Sequence, residues 1–123
     1  MQLIPATDEK QFRQIRELYL HAFPACERKP FALIRQKQSE DLVDIFMLKD
    51  GDTFCGLAIT MKANDLVLLD YFAIAKDRRG MGYGSAALQM LYDHFAGKRF
   101  FLEIESTLEE SENRQQRLMR KQF

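Results

Sequence analysis

The spacing of apolar residues changes period at two points along the chain, and each change marks a new kind of element. Met1 to Ala6 reads as a short first strand, and Thr7 followed by Asp8 and Glu9 predicts a helix start: a hydroxyl cap, then acids in the positive first turn. Phe12, Ile15, Leu18, Tyr19 and Ala22 recur at three- and four-residue steps and line up one apolar helical face. Phe23-Pro24 ends that helix, because a proline keeps the residue before it out of the helical region. Pro30 suits a first helical position, and Phe31 to Gln38 forms a second, short helix.

From Val43 the period becomes that of strands. Val43 to Lys49 and Phe54 to Lys62 flank Asp50-Gly51-Asp52 and predict a hairpin. Asn64-Asp65 makes a second turn, after which Leu66 to Ala75 is an apolar run expected to be a central strand buried on both faces. Past a glycine-rich segment from Arg79 to Gly84, Leu88, Leu91, Tyr92 and Phe95 define an amphipathic helix that Gly97 is placed to end. Arg99 to Ser106 is the next strand, joined to the preceding one by a helical crossover and so expected parallel and adjacent to it. A polar stretch from Leu108 to Asn113 and a last helix from Arg114 to Phe123 complete the pattern. The expectation is a single mixed α/β domain over residues 1–123.

Composition narrows the class. Of 123 residues, 46% are hydrophobic and 29% charged, the balance of a globular domain rather than a disordered chain. Eighteen Lys and Arg offset eighteen Asp and Glu, so no long-range positive field gathers nucleic acid or anionic lipid, and neither is an expected partner. No apolar run approaches the ~20 residues that span a bilayer, and the N-terminus lacks a basic-then-apolar leader, which points to the cytoplasm. Cys26 and Cys55 form no C-x-x-C pair and no zinc-like set with His21 and His94; they read as buried or half-buried thiols, the histidines as structural, and no metal is expected.

The stretch that carries chemistry is Asp70-Tyr71-Phe72-Ala73-Ile74-Ala75-Lys76-Asp77-Arg78-Arg79-Gly80-Met81-Gly82-Tyr83-Gly84-Ser85, a strand that runs through glycines into a helix. Alternate glycines let the backbone approach a ligand with no Cβ in the way, and the N–H groups then point outward at a positive helix end. That describes an anion site, with a pyrophosphate the best candidate and Arg78 or Arg79 as a charged contact. Gly82-Tyr83-Gly84-Ser85-Ala86-Ala87 also fits the dinucleotide fingerprint, with Glu103 or Glu105 near the ribose-binding distance. Topology argues against that rival: a dinucleotide fold begins with this unit, whereas here an antiparallel meander precedes it.

Arg79-Gly80-Met81-Gly82-Tyr83-Gly84 is similar to the R-x-x-G-x-G motif of the GNAT superfamily of acetyl-CoA-dependent N-acetyltransferases, and Phe72-Ala73-Ile74 looks like the strand that leads into it. The order of elements matches too, over nearly the whole chain. The resemblance implies a central mixed sheet, antiparallel over strands 1 to 4, with a parallel, splayed pair of strands 4 and 5, flanked by helices. It implies acetyl-CoA as cosubstrate, its pyrophosphate held by backbone N–H groups of Gly80, Gly82, Gly84 and Ser85 beside Arg79. The backbone of Phe72 and Ile74 would receive the pantetheine arm, with the Phe72 amide near the thioester carbonyl, where one preorganised donor is worth about 3 kcal/mol of barrier. The implied activity is direct transfer of acetyl to a primary amine of a small molecule; a non-catalytic acyl-CoA-binding module of the same fold is the alternative.

Amine acetylation needs a proton acceptor for the attacking nitrogen. Asp70 interrupts the apolar run Leu66 to Ala75, a setting in which a carboxylate is a better base. Glu103 and Glu105 share one strand face, Phe100, Leu102 and Ile104 the other. Glu27 falls in the loop between the first two helices, which lines the acceptor side in this superfamily. With Glu109, Glu110 and Glu112, the strand glutamates form an acidic run that would favour a cationic amine if it rims the pocket. Members of the superfamily usually continue into two further strands and carry a tyrosine that protonates the leaving thiolate; Tyr71, Tyr83 and Tyr92 lie elsewhere in the order. The resemblance therefore implies a C-terminally short domain with an open edge at Arg99 to Ser106. Either the chain is a shortened form of a longer enzyme, the reading preferred here, or a second copy covers that edge as a homodimer, or the fold is rearranged and inactive.

Overall fold

The computed structural model describes residues 1–102. In chain order these form β1 (Gln2–Pro5), α1 (Glu9–Ala22), α2 (Phe31–Ser39), β2 (Val43–Asp50), β3 (Thr53–Ala63), β4 (Leu66–Ile74), α3 (Tyr83–His94) and β5 (Arg99–Leu102), with short 3-10 turns at Ala25–Glu27 and Lys76–Arg78. The expected polar stretch after Leu108, the last helix, and the candidates Glu103 and Glu105 lie outside the described residues.

The five strands make one sheet in sequence order. β1 to β4 pair antiparallel and β5 joins β4 in parallel, Leu66–Leu69 lying opposite Arg99–Leu102. This is the mixed α/β sheet the sequence implied. On one face Phe12, Ile15 and Tyr19 of α1 and Phe31 and Ile34 of α2 pack on Ile45, Met47, Leu57 and Ile59. On the other, Leu88 and Leu91 of α3, with Phe95, pack on Phe46, Ala58, Val67, Leu69 and Phe100. Tyr92, expected on that apolar line, is 43% exposed; the buried stripe of α3 is Ala87, Leu88 and Leu91, one step further round the helix. No helix among the described residues is long and apolar enough to cross a membrane.

Two local expectations shift. The α1 cap is Asp8 rather than Thr7: its carboxylate accepts from the Gln11 N–H at 2.8 Å, while the Gln11 amide oxygen accepts from the Asp8 and Thr7 N–H groups. This is a capping box, which satisfies donors at both ends of the first turn. Pro30 is the cap residue of α2, one place before the helix proper.

The larger departure is in β4, which is not buried evenly on both faces. Thr60 lies opposite Leu69 and Ile59 opposite Tyr71, so Asp70 is an extra residue, a β-bulge. Because side chains alternate along a strand, one inserted residue exchanges the faces beyond it. Before the bulge Val67 and Leu69 join the α3 cluster; after it Tyr71 and Ala73 join the α1–α2 cluster, and Phe72 turns toward α3.

Gly56 of β3 lies where the sheet is tightest: a Cβ there would collide with the carbonyl oxygen of Ala73 and press on Leu48 Cδ1 at 3.2 Å. Gly56→Ala is expected to cost about 1–3 kcal/mol of stability, measured by denaturant unfolding, because backbone rather than a flexible side chain has to give way. An unchanged midpoint would contradict that packing.

Candidate active site

After β4 the chain turns through Lys76–Arg78 and reaches Gly80 and Gly82 at φ 81° and 80°, left-handed values that side chains disfavour. Gly82 caps α3, and the Ala86 N–H is bonded to the Gly82 carbonyl at 3.2 Å. The N–H groups of Tyr83, Gly84 and Ser85 precede that bond and have no intrahelical acceptor. Gly84 is the informative residue. It stands in a helix at an ordinary φ, and a Cβ on it would meet nothing within 4 Å among the described residues. A glycine costs a helix about 1 kcal/mol relative to alanine. Neither strain nor crowding among the described residues calls for it.

Two side chains brace this turn. Arg79 Nε donates to the Ile74 carbonyl at 3.2 Å, and the Tyr83 hydroxyl donates to Asp50 Oδ2 at 2.6 Å, tying the start of α3 to the end of β2. The hydrogen bond to Asp50 holds the Tyr83 phenol above its ordinary value.

The edge of β4 supplies a second set of donors. The Ala75 N–H points toward β3, bonded to the Cys55 carbonyl at 2.7 Å. Strand alternation therefore turns the N–H and C=O groups of Ile74 and Phe72 the other way, toward the β5 side. The Ile74 carbonyl, taken by Arg79, agrees. The last described β4–β5 pair is Leu69–Leu102, so these amides lie beyond the described pairing, above the end of the parallel pair. Phe72, Ile74, Arg79, Gly80, Gly82, Gly84 and Ser85 thus form one continuous run from strand edge to helix end, and that run can take an extended ligand ending in a diphosphate.

On the opposite face of the sheet from α3, Tyr71 reaches into the loop before α2. Its hydroxyl donates to the Glu27 carbonyl at 2.8 Å and accepts from the Lys29 N–H at 3.0 Å. The Tyr19 hydroxyl donates to the Lys29 carbonyl at 2.6 Å. Burial pushes the Tyr19 phenol far above its usual range, so it remains a donor. Both rings pack edge-on, at 4.9 Å, and Phe23 lies 5.0 Å from Tyr71.

Asp70, at the bulge, is not the solitary carboxylate the apolar run suggested. Lys29 Nζ lies 2.6 Å from its Oδ2, with the Asp70 side chain only 9% exposed and that of Lys29 42%. The loop that brings Lys29 there also carries Glu27, half-buried, whose backbone carbonyl rather than carboxylate makes the contact with Tyr71. Lys29 and Tyr71 were not singled out as site residues from the sequence. The signal available was slight: an Asp-Tyr pair inside an apolar run, and a lysine before a proline.

The remaining candidates separate. Cys55 is buried but Cys26 is exposed, on a turn with no buried residue. The His94 ring packs on Phe46 and Phe95, and His21 is exposed. Among the described residues no group of three or more His, Cys, Asp or Glu is arranged to hold a metal ion.

A model of the acetyltransferase (GNAT) family matches residues 12–123, and the chain belongs to that family. The fold is that of several solved structures, each 21% identical in sequence. A Bacteroides thetaiotaomicron protein assigned to the GNAT family superposes with a TM-score of 0.84 over 99% of this chain and 70% of its own. The ribosomal-protein-S18-alanine N-acetyltransferase of Escherichia coli gives 0.71 over 95% and 75%. A Corynebacterium glutamicum protein described as histone acetyltransferase HPA2 and related acetyltransferase gives 0.65 over 94% and 82%. No curated protein matches the sequence.

Removing the Tyr71 hydroxyl leaves the Glu27 carbonyl and the Lys29 N–H without their partner, a loss of about 1–3 kcal/mol. Tyr71→Phe should therefore speed hydrogen exchange at the Lys29 amide by about tenfold or more. Unchanged exchange there would show that the hydroxyl does not hold the loop.

Proposed function

We propose that this protein transfers an acetyl group from acetyl-CoA directly to a primary amine of a small molecule, with no covalent enzyme intermediate, in the cytoplasm. The observation that carries this reading is Gly84, a bare helical position that nothing among the described residues crowds, amid N–H groups without intrahelical acceptors, which family membership makes intelligible as a seat for the CoA pyrophosphate. The donors of Gly80, Gly82, Gly84 and Ser85, with Arg79 beside them, act on that diphosphate through hydrogen bonds and the helix dipole. Acetyl-CoA supplies the activated acyl group.

Phe72 and Ile74 then align the pantetheine arm along the β4 edge. The Phe72 N–H is aimed at the thioester oxygen, where negative charge grows as the amine attacks; a fixed donor there lowers the barrier. Asp70 is the proton acceptor we favour for the incoming ammonium, directly or through water. It sits two residues before Phe72 in the chain, and its nearly buried carboxylate is paired with Lys29. Glu27, Glu103 and Glu105 remain the alternative carboxylates. A nitrogen acceptor is in keeping with the Escherichia coli structure of the same fold, which by its name modifies the nitrogen of an alanine.

Calorimetry with acetyl-CoA should show one site per chain. Gly84→Val, which fills open space in the free protein, should weaken binding at least about tenfold with little change in unfolding midpoint. Wild-type affinity in that variant would contradict the placement. Thiol release with a panel of primary amines tests turnover; binding with no turnover would favour the non-catalytic acyl-CoA-binding module instead.

A further inference from the structure

The ion pair at the bulge has the composition of an acceptor complex. Lys29 presents a primary ammonium on an unbranched alkyl chain, 2.6 Å from Asp70 Oδ2, against a carboxylate that is 9% exposed. Its Nζ also donates to Met61 Sδ at 3.4 Å, so the cation rests between a carboxylate and a thioether. The backbone of Lys29 is fixed from both sides, its carbonyl by Tyr19 and its N–H by Tyr71. The side chain is 42% exposed, so solvent reaches the pair from the Lys29 side.

We infer that Lys29 is a built-in competitor for the acceptor: its ammonium holds the place on Asp70 that a small primary alkylammonium takes, and an acceptor binds by displacing it. This rests on the reading of Asp70 as the acceptor's carboxylate. The exchange is chemically matched, one alkylammonium for another on the same oxygen, so the nearly buried carboxylate is never left without a cation. That matters because an unpaired buried charge is strongly unfavourable, which favours exchange of one cation for another over loss of the pair. The position also fits. Asp70 is on the α1–α2 face and the bare end of α3 is on the opposite face, so an amine at Asp70 and a diphosphate at Gly84 approach the Phe72 amide from different sides of the sheet. The acceptor class this selects is an unhindered, monocationic primary alkylamine; an anionic amine would meet a carboxylate already matched in charge.

The test is the affinity of n-butylammonium, measured by calorimetry on the full chain saturated with desulfo-CoA. Lys29→Met keeps the length and apolarity of the stem, and Lys29→Gln serves as a second, polar replacement if the first fails to fold. Either should bind butylammonium about tenfold more tightly than wild type. Lys29→Arg, which keeps a cation on Asp70, should remain like wild type, and adding Asp70→Asn to Lys29→Met should abolish the gain. Equal affinity in wild type and the neutral variants, or a gain that survives Asp70→Asn, would overturn the inference. Thiol release with acetyl-CoA and butylamine is followed alongside. If binding behaves as expected but no variant releases thiol, the acetyl-transfer reading fails and the competition at Asp70 stands.

Discussion

One inserted residue in β4 organises the site. With Asp70 bulged out of register between Leu69 and Tyr71, the strand serves two different layers along its length. Its first half closes the core under α3 through Val67 and Leu69, and its second half sends Tyr71 into the core under α1 and α2. Without the bulge, Tyr71 would face α3 and the clamp on the Glu27–Lys29 backbone could not form. The same insertion sets Asp70 off the ladder, where its carboxylate meets Lys29 instead of packing in the sheet. Bulges bend and twist a strand, and this one sits just before the amides of Phe72 and Ile74 that look away from β3.

The two helical layers consequently have different tasks. α3 offers its N-terminus, with backbone donors and bare glycines, to whatever lies along the β4 edge. The layer of α1 and α2 offers a loop pinned by two tyrosine hydroxyls, with its charge delivered to the bulge. One layer meets the β4 edge with backbone groups, the other with side chains.

Much of this was legible in the sequence. The glycine run after an apolar strand marked a tight turn into a helix, and the structure has that turn, with Gly80 and Gly82 at left-handed φ and Gly84 in the first turn of α3. The meander followed by a crossover fixed the parallel β4–β5 pair, since the period of hydrophobicity reports local geometry directly. What stayed hidden was non-local. The bulge is invisible in Leu66 to Ala75 because an apolar residue on either face looks the same in a one-dimensional pattern. The Lys29–Asp70 pair joins residues 41 apart, and no local rule links them. Asp8 displaced Thr7 as the cap because Gln11 completes a reciprocal pair of bonds with it, a choice that depends on side-chain reach rather than residue type.

Backbone amides are the groups proposed to hold the coenzyme, and each can be followed individually. In an amide-resolved NMR titration with coenzyme A, the largest shifts should fall on Phe72, Ile74 and the run from Gly80 to Ser85, with α1 and β1 nearly unmoved. Saturable shifts centred elsewhere, with the Gly82, Gly84 and Phe72 amides unaffected, would contradict it.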